Sequence, residues 1–137
     1  MAFGGTKMRP LRFEEIRAGE IFDDGFLKVT AIPTKHCVGS HAFLIEAEGK
    51  NILFTGDLKH PTVDFPAIAM ERPTDLMICE AAHFTATDYA PVLSKCPTKH
   101  VCINHYVVWN IPNVMQLGKE LAPLPVILAN DNMEFTL

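Results

Sequence analysis

Three side chains suited to holding a metal stand where apolar runs pass into loops. Asp57 closes the segment Ile52-Leu-Phe-Thr-Gly-Asp57, His36 opens His-Cys-Val-Gly-Ser (36–40) just beyond the apolar stretch 26–32, and His105 follows Val101-Cys102-Ile103. Strands fix the backbone while their ends release polar groups to converge, and imidazole with carboxylate is a donor set that borderline cations such as Zn²⁺ accept. A cation so held lowers the pKa of its bound water and makes hydroxide available to attack a phosphate ester, a carboxylic ester or a lactam-type amide. Taken alone, Asp57 also reads as a turn carboxylate, since Gly-Asp is a common turn pair. The two flanking histidines turn the reading towards a ligand.

These positions resemble the later motifs of the metallo-β-lactamase superfamily, a group of mostly dinuclear metal-dependent hydrolases. His36 with Gly39 and Ser40 resembles its third histidine ligand, Asp57 in Phe-Thr-Gly-Asp its bridging aspartate, and His105 in Asn104-His105-Tyr106 its last histidine. Asp75-Leu-Met-Ile-Cys-Glu80 resembles the strand after the bridging aspartate, and the segment 129–135 resembles the strand turn that ends many members. The resemblance runs from about Arg12 to Leu137. It implies an α/β fold, the C-terminal half of an α/β/β/α sandwich: a mixed β-sheet with helices on one face.

The family's His-x-His-x-Asp-His signature is absent, and no two of the 6 histidines are separated by one residue. On the family pattern His36 and Asp57 would remain for one metal and Asp57 and His105 for the other. One or two zinc ions are thus implied for a complete domain, with weak or no hydrolysis by this chain alone. His83, in Glu80-Ala-Ala-His-Phe-Thr, resembles a His-x-Thr element that helps protonate the leaving group in the RNA-processing and phosphodiesterase branches; the plainer reading is a hydrogen-bonded surface residue. Glu80 is expected to steady a metal-ligand histidine from behind. Ser40 lacks the Gly-x-Ser-x-Gly elbow of a nucleophile and is expected to hydrogen-bond its own loop. Nothing pairs His41, His60 and His100 by spacing, so they read as structural or solvated.

The 137 residues, 48% apolar and 20% charged, contain no linker-like tract, so the reading is a single domain over 1–137. A net charge of −4 with scattered basic residues argues against a nucleic-acid partner. The longest apolar runs fall far short of the roughly 20 residues that span a bilayer, and Met1-Ala-Phe-Gly-Gly5 lacks a leader's apolar core, so a soluble, cytoplasmic protein is expected. Cys37, Cys79, Cys96 and Cys102 form no Cys-x-x-Cys pair and read as reduced, mostly buried thiols.

The elements needed to place these residues can be read from apolar runs and turn residues. Strands are expected at 26–32, 76–79, 100–104, 126–129 and 133–136, with a hairpin over 41–56 turning through Ala47-Glu48-Gly49-Lys50. Helices are expected at 87–95, N-capped by Thr87, at 113–121, and more weakly at 65–71. Leu76-Met-Ile-Cys79 and Val126-Ile-Leu-Ala129 are apolar at every position, as in strands covered on both faces. At about 25 cal/mol per Å², leaving several hundred Å² of such a face in water costs on the order of 10 kcal/mol, comparable with a domain's whole stability. Two partners would cover it: a second copy in a homodimer, or a complementary N-terminal half. The functional reading is accordingly a metal-dependent ester or phosphodiester hydrolase that is incomplete in this chain. Its rival is a catalytically silent, self-associating or binding module that retains relic metal residues.

Overall fold

The computed structural model describes residues 12–137. The Met1–Gly5 stretch, read above for a leader, lies outside the described residues. Seven strands form one sheet: β1 (Gly19–Asp23), β2 (Leu27–Pro33), β3 (His41–Ala47), β4 (Lys50–Phe54), β5 (Leu76–Ala81), β6 (Val101–Tyr106) and β7 (Val126–Leu128). Their order across the sheet is their order along the chain. The first four pair antiparallel and the last four parallel, so the sheet is mixed, with β4 shared between the two parts.

The switch from antiparallel to parallel follows from the connections. Between β3 and β4 only Glu48 and Gly49 intervene, both at positive φ (51° and 74°), the two-residue turn whose twist suits a hairpin. Parallel neighbours need a crossover, and each is supplied by short helices. Between β4 and β5 lie α1 (Pro61–Asp64) and α2 (Ile68–Glu71); between β5 and β6 a 3₁₀ turn (Ala86–Tyr89) runs into α3 (Ala90–Leu93); between β6 and β7 another 3₁₀ turn (Val108–Asn110) runs into α4 (Ile111–Glu120). Val114 and Leu117 in α4 and Leu121 at its C-cap are all buried, the stripe that the sequence spacing predicts.

Helices lie on one face of the sheet. Leu44, Leu53, Met77, Cys79, Val101 and Ile103 share a single core with Phe65 and Ala69, Tyr89 and Leu93, and Val114 and Leu117 from the crossover segments. Strand residues alternate between faces, so the intervening Phe43, Ile45, Ile52, Phe54 and Ile78 point the other way, and these are only half-buried. Burial raises the thiol pKa of Cys79 and Cys102 and pushes that of Cys96 up to about 11, which disfavours the thiolate that binds metals. Cys37 is exposed, and all four are free. No described helix is long and apolar enough to cross a membrane.

Three local expectations need correction. The sequence reading contained no β1, whose five residues are all exposed and which is held by pairing with β2. The segment 133–136 is not a strand; instead the Phe135 ring packs against His100 at 5.4 Å between centroids. The helix expected at 87–95 begins earlier, as a 3₁₀ turn capped by Thr85, because Asp88 closes a capping box back to the Thr85 backbone.

Candidate metal centre

The parallel strands β4, β5 and β6 all end at the same edge, and the β2–β3 loop opens there too, so topology alone brings residues 36, 57, 80–83 and 105 together. Asp57 Oδ1 lies 2.9 Å from Nδ1 of His105, and Asp57 Oδ2 lies 4.0 Å from Nε2 of His36. His83 stands between the two imidazoles, its ring centroid 4.3 Å from that of His36 and 5.5 Å from that of His105. Asp57, Glu80, His83 and His105 each offer a ligand atom within 4.8 Å of the others.

Backbone devices aim these groups. Gly56 has φ +57°, and a Cβ there would sit 2.6 Å from the His41 carbonyl oxygen, so only glycine lets the chain turn out of β4 against β3 and deliver Asp57. His105 itself has φ +40°, uncommon for a residue with a side chain. It is also the extra residue where the β5–β6 register slips, Glu80 facing Asn104 but Ala81 facing Tyr106. A bulge of this kind re-aims one side chain at a strand end. Here it turns His105 towards Asp57.

Glu80 is buried, and its two carboxylate oxygens accept the N–H groups of Leu58 at 2.9 Å, Ala82 at 2.9 Å and His83 at 3.3 Å. His83 Nδ1 lies 2.8 Å from Glu80 Oε1. An imidazole held through Nδ1 by a carboxylate is fixed in orientation and leaves Nε2 free. Glu80, expected to steady a ligand histidine, instead holds His83, the residue read as a proton donor. Asn110, fully buried, pins the loop carrying His83 by accepting from Ala86 N–H at 3.0 Å and donating to the carbonyls of Ala81 at 2.7 Å and Phe84 at 2.8 Å. No spacing in the sequence marked Asn110.

Ser40 Oγ accepts from Cys37 N–H at 3.3 Å within its own loop. His41 bonds the Gly39 carbonyl, His60 caps α1 and His100 bonds the Asp75 carbonyl, and none of them belongs to the cluster. Trp109 is 60% exposed near His105, while the Tyr106 hydroxyl donates to Ala129 O at 2.8 Å. An open polar groove lined by Asn104, His105, Tyr106, Ala129, Asn130 and Asp131 adjoins His105. A wider groove between the hairpin turns at the far edge carries none of the histidines.

No family model matches the sequence. Among solved structures the chain superposes on the metallo-β-lactamase fold protein YhfI from Bacillus subtilis with a TM-score of 0.68, at 15% identity, over 88% of this chain and 53% of that one. The chain carries about half of a metallo-β-lactamase fold. A protein of Parabacteroides distasonis described as a metal-dependent hydrolase gives a TM-score of 0.66 at 14% identity, over 82% of this chain and 56% of that one. A Thermotoga maritima protein described as a Zn-dependent hydrolase of the metallo-β-lactamase superfamily gives 0.59 at 16% identity, over 82% and 70%. In sequence, a 41-residue stretch is 51% identical to ribonuclease BN of Escherichia coli strains, including O1:K1 / APEC and O45:K1 (strain S88 / ExPEC). That stretch is 30% of this chain and 13% of those relatives. Within the metallo-β-lactamase fold seen here, the α/β architecture with helices on one face agrees with the sequence expectation.

The donor set suits a divalent cation. Among the described residues Asp57 has imidazole neighbours and no lysine or arginine partner, so its charge is not already neutralised by a permanent cation. Nitrogen and oxygen donors of this kind favour zinc and its neighbours in the first transition series.

Proposed function

We propose that this chain is the metal-holding half of a hydrolase that cleaves phosphodiesters, or esters of related geometry, with activated water. The observation that carries the reading is the convergence of three imidazoles on Asp57 at one sheet edge. Asp57 with His36 and His105 would hold zinc, with His83 close enough to join them or to serve separately. A divalent cation held there supplies Lewis acidity and activates water. His83, oriented by Glu80 through Nδ1 and with its ring close to those of both His36 and His105, would use Nε2 to donate a proton to a leaving oxygen. The name of the partly similar Escherichia coli relative, ribonuclease BN, supports a phosphodiester over a carboxylic ester. Zinc binding by calorimetry, with turnover of bis(p-nitrophenyl) phosphate, tests the reading. The expected result is zinc uptake that Asp57→Ala abolishes, with weak or no turnover by this chain alone; zinc uptake indifferent to Asp57 would overturn it.

The half-buried apolar row Phe43, Phe54 and Ile78, which register places side by side, favours a second reading, a self-associating module with relic metal residues. Covering such a face by a second copy in a symmetric pair is the commonest closure, and a complementary N-terminal half would serve equally. Light scattering separates the two: a folded monomer of about 15 kDa excludes the homodimer.

A further inference from the structure

Two separate loops must be held together for His36 and Asp57 to share a cation, and one carboxylate outside the cluster touches both. Asp64, the last residue of α1, accepts the N–H of Lys35 at 2.7 Å and of Lys59 at 3.0 Å on the same oxygen, Oδ2, and the N–H of His60 at 3.1 Å on Oδ1. Lys35 immediately precedes His36, and Lys59 lies two residues after Asp57. Sharing one acceptor keeps those two amide nitrogens within about 6 Å of each other. Among the described residues Asp64 makes no ion pair, so its charge is directed wholly at backbone N–H groups.

We propose that Asp64 is a positioning residue of the candidate metal centre, tying the His36 loop to the Asp57 loop; the inference rests on the metal reading above. Hydrogen bonds to an ionised acceptor are roughly twice as strong as neutral ones, which suits a carboxylate to joining two loops that no strand pairing joins. Support for α1 alone does not explain the arrangement, since a single helical turn has little stability of its own and, of the three donors, His60 is the N-cap of α1 while Lys59 and Lys35 lie beyond it. A second bond runs across the same gap: the Thr34 hydroxyl donates to the Asp57 carbonyl at 3.1 Å. It joins the same two loops through Thr34, one residue nearer β2 than Lys35, leaving Asp64 to tie the residue next to His36.

Asp75 provides a matched control. Its carboxylate also accepts a backbone N–H from another segment, that of Asn51 at 2.9 Å, but at the opposite end of β5. The experiment compares wild type, Asp64→Asn, Asp64→Ala and Asp75→Asn by Co²⁺ titration, urea unfolding in chelator, and amide hydrogen exchange of the metal-free protein. Asp64→Asn keeps one acceptor oxygen and serves if Asp64→Ala does not fold. Loss of outer partners of metal ligands typically weakens affinity about 10- to 100-fold, and that loss is expected for Asp64→Asn. Asp75→Asn should stay within about twofold of wild type while losing comparable urea resistance. In the metal-free Asp64→Asn protein the Lys35, Lys59 and His60 amides should exchange faster while the β5 and β6 amides keep their protection. Co²⁺ affinity within twofold of wild type in Asp64→Asn, or equal weakening in Asp75→Asn, overturns the proposal. Wild-type protein that takes up no Co²⁺ sinks the metal reading instead, and the exchange data then decide: unchanged protection at Lys35 and Lys59 overturns the role of Asp64, and its local loss sustains it.

Discussion

Carboxylates stand at both ends of the parallel strands, but they keep different company. At the far edge Asp75 meets the Lys99 ammonium at 2.7 Å and Glu46 meets the Arg72 guanidinium at 2.6 Å. At the near edge Asp57 meets His105 and His36, and Glu80 meets His83. Lysine and arginine are permanent cations without a lone pair to offer, so Asp75 and Glu46 are neutralised within the protein. A neutral imidazole held at one nitrogen leaves the other as a donor, so the near edge keeps both charge and lone pairs for a ligand. The two edges are built on the same strands, and the choice of basic partner separates an ion-pair seam from a candidate site.

The largest effect expected is on metal uptake. Asp57→Ala should lower Co²⁺ or Zn²⁺ affinity by more than about 100-fold, because it removes the carboxylate common to the imidazoles; calorimetry that finds wild-type affinity would erase the distinction between the edges. Next comes Gly56→Ala, expected to destabilise by at least about 1–2 kcal/mol from the left-handed backbone alone. The contact with the His41 carbonyl adds to that, and a urea midpoint unchanged from wild type would show that Gly56 does not hold this left-handed turn.

A smaller effect concerns acid. The Lys99 ammonium, followed by the Asn51 N–H, holds the Asp75 carboxyl below its ordinary value of 3.8. A depressed carboxyl stabilises the fold above its unfolded pKa and loses that contribution as pH falls through the folded value. Asp75→Asn should therefore flatten the decline in stability below about pH 4 and leave metal affinity alone; an acid limb as steep as that of wild type counts against it. Smallest in stability is His105→Gly. Relief of positive φ and the entropy cost of glycine nearly offset, so thermal unfolding should give a change within about 1 kcal/mol. Metal affinity should nevertheless drop at least about tenfold.

The near edge was legible because its chemistry sits where apolar runs stop, and the position of a strand end can be read from residue types. Hence His36, Asp57 and His105 stood out before any coordinates. His83 was harder, since its place between the other imidazoles depends on Glu80 turning its buried carboxylate back onto three N–H groups. The bulge at His105 and the clasp of Asn110 were not legible, because register slips and loop docking arise from tertiary packing. Nor was β1: its side chains are exposed throughout, so no apolar pattern announces a strand defined by backbone pairing alone. The opposite error at 133–136 has a related cause. Apolar residues suited to a strand there pack as a tail, Phe135 on His100, without joining the ladder beyond β7.

Because the sheet order repeats the chain order, no strand needs to insert between two already paired. A chain emerging from its N-terminus can add each strand to the growing edge, first through the tight hairpins and then through the slower crossovers, whose contacts span longer loops. The ligand candidates join in the same sequence. His36 and Asp57 are in place once β4 has docked, His83 after β5, and His105 only with β6 and its bulge. The imidazole nearest Asp57 is thus the last to arrive, so a nascent chain can complete the cluster only after most of the sheet beneath it has formed.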